Sequence, residues 1–343
     1  MYMPALSWEA DRADAGFGEW VRERALAWFP LVSYTEDQPD QEVAIEDGDT
    51  VAMILEAQSE AEAGTEASRE AGEETETGSS ASDAAPAADI PMDKLRDFEY
   101  LLSNYYTVDS STVIGADQLD AEKMLEQDMK IDTETGGPKI LVFHTHSQEE
   151  FVDSTPGDPA TSIVGVGAYL TELLNEKGIE TIHDTGVYDI IDGKLDRSMA
   201  YDYSEAAVRK ILEENPSIEV LIDLHRDGVA EDTRLVTEIN GKQTARIMFF
   251  NGLSRTRTNG EISYLKNPYI QDNLAFSFQM HLAAETKNPG FTRHIYLKAY
   301  RYSLHMKPKS LLIEAGAQTN TVEEMMNAME PLADALYDVL ISS

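Results

Sequence analysis

The sequence predicts an α/β domain, a mostly parallel sheet flanked by helices, preceded by a disordered acidic N-terminal region. Three observations carry that prediction. Short apolar runs alternate with amphipathic helical stretches from about residue 138 onward, several of those runs are apolar at every position, and the residues before them are rich in acidic and small side chains. Repeated strand-helix-strand units imply right-handed crossovers. At 343 residues and 42% hydrophobic content the chain can build a sizeable core. Residues 1–137 carry 33 acidic and 8 basic side chains, against 30 and 19 over residues 138–343. The formal charge of −36 excludes a nucleic-acid partner as an expectation, because phosphates would be repelled. Cysteine is absent, so any metal must be held by His, Asp or Glu.

Residues 1–55 form an N-terminal segment, expected to be partly helical or disordered. Its amphipathic stretch, residues 18–34, carries Trp20, Val21, Leu26, Trp28, Phe29 and Leu31, breaks at Pro30, and is too short and charged to span a bilayer. Residues 56–91 read as an acidic disordered linker: from Glu56 to Asp89 there is no aromatic residue, and too little apolar surface to offset chain entropy. No run approaches 18 uninterrupted apolar residues, and the N-terminus lacks the basic-then-apolar order of a signal peptide. The chain as given is expected to be soluble, without a signal or transmembrane segment.

Residues 92–137 are expected to be a helical lead-in. Leu95, Phe98, Leu101, Leu102 and Tyr105 recur at three- and four-residue spacing, and a second short helix is expected over about Asp117 to Met129. Gly136-Gly137-Pro138 then breaks the chain, and residues 138–343 form the expected catalytic domain. Ile140 to Phe143 is a central strand covered on both faces. A helix over about Ser162 to Lys177 stops at Gly178, a residue type favoured just past a helix end. Ile179 to His183 is a strand, Tyr201 to Glu214 a helix closed by Asn215-Pro216, and Glu219 to Leu224 a further apolar strand. Asn240-Gly241 marks a hairpin joining Leu235–Ile239 to Thr244–Phe250. A helix from Pro268 to Glu285 and an irregular segment lead to the strand Ser310 to Glu314, and helix Thr321 to Leu340 closes the chain.

Sites in such sheets lie beyond the carboxyl ends of the strands. Ile140–Phe143 runs into His144 and His146, Glu219–Leu224 into His225, and Leu311–Ile313 into Glu314. His146 and Glu149 have the His-x-x-Glu spacing that presents two metal ligands from one turn of chain, and His225 supplies a third. Two imidazoles and a carboxylate leave a position for water, the pattern of one catalytic Zn2+ ion. Zinc lowers the pKa of such a water to about 7. Glu314 is then the acid-base catalyst, taking a proton from water and returning it to the leaving nitrogen. Arg226, Arg197 and Arg301 are candidates to stabilise the oxyanion, and Arg226 is counted with the catalytic residues. His144 competes with His146 as ligand, since alternation puts both on one side of the chain beyond the strand. With His146 preferred, His144 becomes a catalytic group behind the ligands or against substrate. Ser147 with Glu150 has the form of a capping box, so a helix is expected there and Glu149 rather than Glu150 is the ligand. Asp227 is expected to orient His225 or Arg226, or to serve the turn before Gly228. His183, His281, His294 and His305 read as packed or surface residues.

At these residues the chain resembles the stage II sporulation protein P family of endospore-forming bacteria. The marks are Asp97-Phe98-Glu99-Tyr100-Leu101-Leu102 with Tyr105-Tyr106-Thr107-Val108-Asp109, Ile140 through Glu149, Ile222-Asp223-Leu224-His225-Arg226-Asp227, Asn240-Gly241-Lys242 ahead of Ala245–Phe249, and Leu312-Ile313-Glu314-Ala315-Gly316 followed by Asn320–Glu324. The resemblance covers about residues 95 to 343. It implies a zinc amidase-like (phosphorylase/hydrolase-like) fold and hydrolysis of the N-acetylmuramoyl-L-alanine amide of peptidoglycan, with endopeptidase cleavage of cross-links, during engulfment in sporulation. It also implies stage II sporulation proteins D and M as partners, an N-terminal membrane anchor, and an extracytoplasmic place at the cell wall. The sequence as given departs in showing no apolar stretch of the length such an anchor needs, and in having Glu150-Phe151 where the family tends to show Ser-Tyr. Either the protein is cytoplasmic or an upstream signal or anchor is expected outside this sequence. A zinc carboxypeptidase-like peptidase uses the same ligand pattern, and a non-catalytic wall-binding scaffold could keep the same fold. A carboxypeptidase would need an arginine clamp for the free carboxylate, and retention of His146, Glu149, His225 and Glu314 speaks against the scaffold.

Overall fold

The computed structural model describes residues 92–342, apart from 192, 196 and 198. The expectations for residues 1–55 and 56–91 therefore lie outside the described residues. The lead-in forms helices α1 (Met92–Leu95), α2 (Phe98–Tyr105) and α3 (Ala121–Glu126). Asp97 starts α2 by accepting a hydrogen bond from the Tyr100 N–H, and Leu101 and Tyr105 on its apolar stripe are buried. The lead-in also contains a strand that the helical stripe conceals: β1 (Tyr106–Val108) pairs with the later chain.

The main sheet continues with β2 (Ile140–Phe143), β3 (Thr181–His183), β4 (Val220–Asp227), β5 (Ile247–Gly252), β6 (Ile295–Lys298) and β7 (Lys309–Ala317). Its order is β1-β6-β5-β7-β4-β2-β3. Every neighbouring pair is parallel except β5 with β7, so the sheet is mostly parallel, as expected. Helices α4 (Ile163–Glu176), α5 (Ala200–Glu214), α6 (Ile270–Lys287) and α7 (Val322–Leu340) flank it. Two faces explain the uninterrupted apolar runs. Ile140, Val142, Ile222, Leu224, Phe249 and Ile313 pack in one cluster with buried residues of α4, α6 and α7, while Leu141, Phe143 and Leu221 pack with Val208 of α5.

Local signals account for the helices. The Ser162 side chain accepts from the Val164 N–H to begin α4, and Gly178, with φ +83°, follows its end. Thr321 and Glu324 form a reciprocal capping box on α7. No helix begins at Ser147. Its hydroxyl donates to Asp189 instead, and Glu150 accepts from the Gly157 N–H and bridges to Ser162, so the Ser-x-x-Glu pattern was a false start signal. Asn240 and Gly241 both adopt positive φ, 52° and 78°, and turn a hairpin that pairs Val236–Ile239 with Lys242–Ala245. The single strand expected over 244–250 is two: the chain leaves the hairpin at Ala245 and enters the main sheet at Ile247. The segment expected to be irregular before β7 contains β6.

Candidate metal centre

The site lies where β2, β4 and β7 end. His225 is the sixth residue of β4, and Glu314 stands directly opposite it in register on β7. The β7 ladder is irregular between Glu314 and Ala317, where Gly316 has φ +58° and an added Cβ would lie 2.5 Å from Met325 Sδ. Glycine is therefore what lets β7 bend just beyond the carboxylate.

Asp223, two residues before His225 and so on the same face, anchors the arrangement. Its Oδ1 is 2.7 Å from His225 Nε2 and accepts from the Thr145 N–H at 3.0 Å. Its Oδ2 accepts from the hydroxyls of Thr145 at 2.8 Å and Ser303 at 2.6 Å. Burial alone would raise its pKa, but His225 and these donors hold it at about 2. Burial likewise opposes charge on His225, and the Asp223 and Glu149 carboxylates outweigh it, raising that imidazole well above its ordinary value.

Glu149 is brought 3.8 Å from His225 Nδ1 through Oε2, which also accepts from the Arg226 backbone N–H at 2.8 Å. Burial would push this carboxyl up; His225, Arg226 and His146 hold it at about 2. The His146 ring meets the His225 ring edge-on with centroids 5.2 Å apart, and its buried Nδ1 has no hydrogen-bond partner. Burial, then the charge of His225, lowers His146 to about 3. Glu314 is buried with Oε2 unpartnered, and burial followed by the nearby Asp227 charge raises it to about 8.

Among the described residues, no group of three His, Asp or Glu side chains stands closed as a metal cage. The donors nevertheless fit zinc in character: His146 offers an unpartnered buried nitrogen, and His225 has one nitrogen turned toward Glu149 and the other held by a carboxylate. That outer carboxylate is what ligating imidazoles characteristically have.

His144 is not brought into this group. Alternation carries it from Val142 onto the α4 side, where Nδ1 lies 2.8 Å from the Leu224 carbonyl and Nε2 lies 2.9 Å from His183 Nε2. The chain turns after Thr145, so His146 crosses to the His225 side. The expectation that both histidines share a side fails because alternation holds only while the chain remains extended. Arg226 occupies the β4 position alternate to His225, and its Nη1 donates to the Asp227 carbonyl, so the contact it makes with Glu149 is through its backbone. Arg197 Nη2 is 4.0 Å from Glu149 Oε1, whereas Arg301 is engaged by Glu205 and the Lys266 carbonyl. Asp227 serves the turn before Gly228, accepting from the Gly228 N–H, and its other oxygen accepts from Arg293. Asp223, Thr145 and Ser303 were missed by sequence reasoning. The Asp-x-His spacing in a strand could have revealed the first; nothing local pointed to Ser303, 80 residues away.

Fold and cluster together define an α/β protein with a buried His-Glu-Asp site at its strand ends. The chain belongs to the stage II sporulation protein P family, which matches residues 22–337. Stage II sporulation protein P of Bacillus subtilis (strain 168) is 26% identical over 221 residues, 60% of this chain and 52% of that protein. The chain thus spans about half the length of this curated relative. Among solved structures it is similar to the CwlD amidase from Clostridioides difficile in complex with the GerS lipoprotein, at 14% identity and a TM-score of 0.37, over 59% of this chain and 98% of that one. It is also similar to the N-acetylmuramyl-L-alanine amidase Ami1 from Mycobacterium smegmatis, at 12% identity and a TM-score of 0.37, over 63% and 100%.

Proposed function

We propose that this chain is a zinc-dependent peptidoglycan hydrolase that cleaves the N-acetylmuramoyl-L-alanine amide, and stem-peptide cross-links, during septal and engulfment wall remodelling. The observation that carries the reading is the register of Glu314 beside His225 with His146 and Glu149 gathered on them. Membership of the sporulation family supports the substrate class. His146, Glu149 and His225 would hold the zinc, which when bound polarises the amide carbonyl and makes water acidic enough to attack near neutrality. Asp223 orients His225 by holding Nε2, so Nδ1 is the nitrogen offered to the metal. Burial and Asp227 raise the Glu314 carboxyl to about 8, and a zinc cation held beside it would favour the ionised form. As the carboxylate it takes the proton of the attacking water and delivers it to the leaving nitrogen. His144, with both nitrogens engaged behind β2, supports the fold and not the chemistry.

Residues 138–343 would be the catalytic domain and residues 56–91 its tether, acting outside the cytoplasm with stage II sporulation proteins D and M. No helix of the described residues is long and apolar enough to cross a membrane. The test is digestion of purified muropeptides by the zinc-loaded chain. Muramic acid glycans freed of their stem peptides are expected, and Glu314→Gln should lower turnover by about a hundredfold to ten-thousandfold with zinc content unchanged. Release of terminal amino acids alone would replace the amidase by a carboxypeptidase-like peptidase; unchanged turnover would remove Glu314 from the mechanism.

A further inference from the structure

We propose that the Tyr302 hydroxyl is a further catalytic hydrogen-bond donor of this site, meeting the carbonyl oxygen of the scissile amide; this rests on the amide-hydrolase reading above. The first observation is an unmet donor. Tyr302 Oη is buried without a hydrogen-bond partner, as are His146 Nδ1 and Glu314 Oε2. These three atoms come from the loop after β2, from β7 and from the turn around residue 302, and aromatic contacts link their surroundings. The Tyr302 ring lies 5.5 Å from that of Tyr201, which lies 5.6 Å from His146. Tyr302 also packs edge-on against Phe250 at 4.8 Å, and Phe250 pairs in register with Leu312, two residues before Glu314 on the same face of β7.

The second observation is that the fold holds this residue in an unfavourable conformation. Tyr302 has φ +49°, a left-handed backbone that residues with a Cβ rarely adopt. The next residue secures the turn, because Ser303 donates to Asp223, the carboxylate that also orients His225. One group therefore fixes both the metal-facing imidazole and the tyrosine turn. Gly252 admits the turn: a Cβ there would lie 1.9 Å from the Tyr300 carbonyl oxygen and 2.9 Å from the Tyr302 ring. Burial, with the neighbouring Asp109 and Glu314 charges among the further causes, raises the phenol well above its usual range. It therefore remains a neutral donor while the enzyme works.

A buried hydroxyl without a partner is a liability to the folded state unless something bound later satisfies it. The oxygen that becomes negative during attack on an amide is such an acceptor, and a desolvated donor aimed at it acts more strongly than one in water. No bond is made or broken by Tyr302; the hydroxyl lends its hydrogen bond and keeps its proton. The hydroxyl is shielded from solvent in the free protein, so substrate binding must uncover it.

Tyr302→Phe deletes only the oxygen. In the full chain, loaded with zinc and acting on purified muropeptides, kcat should fall by about a hundredfold while KM stays within about twofold and zinc content is unchanged. The melting temperature should hold or rise, because an unsatisfied buried polar atom has been removed. Tyr302→Leu, which also removes the ring, should lower the melting temperature and so separates packing from hydrogen bonding. Unchanged kcat in Tyr302→Phe, or a lower melting temperature in that variant, overturns the proposal. If the wild type releases only terminal amino acids, the amidase reading fails, and the same comparison on that reaction still decides the role of Tyr302. If the wild type cleaves neither, both ideas fall.

Discussion

Asp223 shows how much of the site hangs on one side chain. Its two oxygens serve the His225 ring, the Thr145 N–H, and the Thr145 and Ser303 hydroxyls, tying together β2, β4 and the tyrosine turn. Asp223→Asn keeps the shape and removes the charge that holds His225 in place. Outer carboxylates of this kind tune metal affinity by about 10- to 100-fold. The expected result is a loss of zinc affinity of that size, measured by competition with a chromogenic chelator, and unchanged affinity would separate Asp223 from the metal site. At this scale the sequence was legible in residue type and spacing. His-x-x-Glu, a distant histidine and a late glutamate could all be named, because donor chemistry belongs to the side chain. The division between His144 and His146 could not, because it depends on where β2 stops being extended.

Between elements, α4 packs against the His144 ring on the face of β2 away from the cluster. Gly167 of α4 faces the imidazole: an added Cβ would stand 2.5 Å from His144 Nε2 and 2.9 Å from His183 Nε2. Gly167→Ala would gain up to about 1 kcal/mol in helix propensity. Overpacking a buried contact costs about 1–3 kcal/mol, and this ring is pinned by the Leu224 carbonyl and by His183. Net destabilisation of up to about 2 kcal/mol is therefore expected as a lower urea midpoint. A raised midpoint would mean that His144 is free to move. The long elements were readable from sequence for reasons visible in their own residues. Apolar runs marked β2, β4 and β7, and Gly178 marked the end of α4. Strands β1 and β6, of three and four residues, escaped because their pairing with each other is nearly 190 residues distant along the chain and leaves no local pattern.

For the whole molecule, sensitivity to acid follows from buried imidazoles outside the candidate metal centre. His281 on α6 is buried beside Thr292, its Nδ1 3.0 Å from the Thr292 hydroxyl, and burial, then His294, lowers its pKa from 6.5 to about 3. In the unfolded chain it takes up its proton near pH 6.5, so between pH 6.5 and about 3 the unfolded state binds more protons. The stability from this neutral histidine is complete above about pH 6.5 and is lost as pH falls through that window, on the order of 5 kcal/mol in total. His281→Gln should flatten the dependence of the urea midpoint on pH over that interval. An unchanged slope would show that His281 does not carry it. Composition and periodicity alone settled the α/β class and the both-faces-covered strands, since each is a property of residues close together in the chain. Which face each histidine takes, the antiparallel joint of β5 with β7, and the meeting of Asp223 with Ser303 were settled by tertiary structure. They arise from pairings between distant segments, whose alternatives differ only in how the assembled core packs.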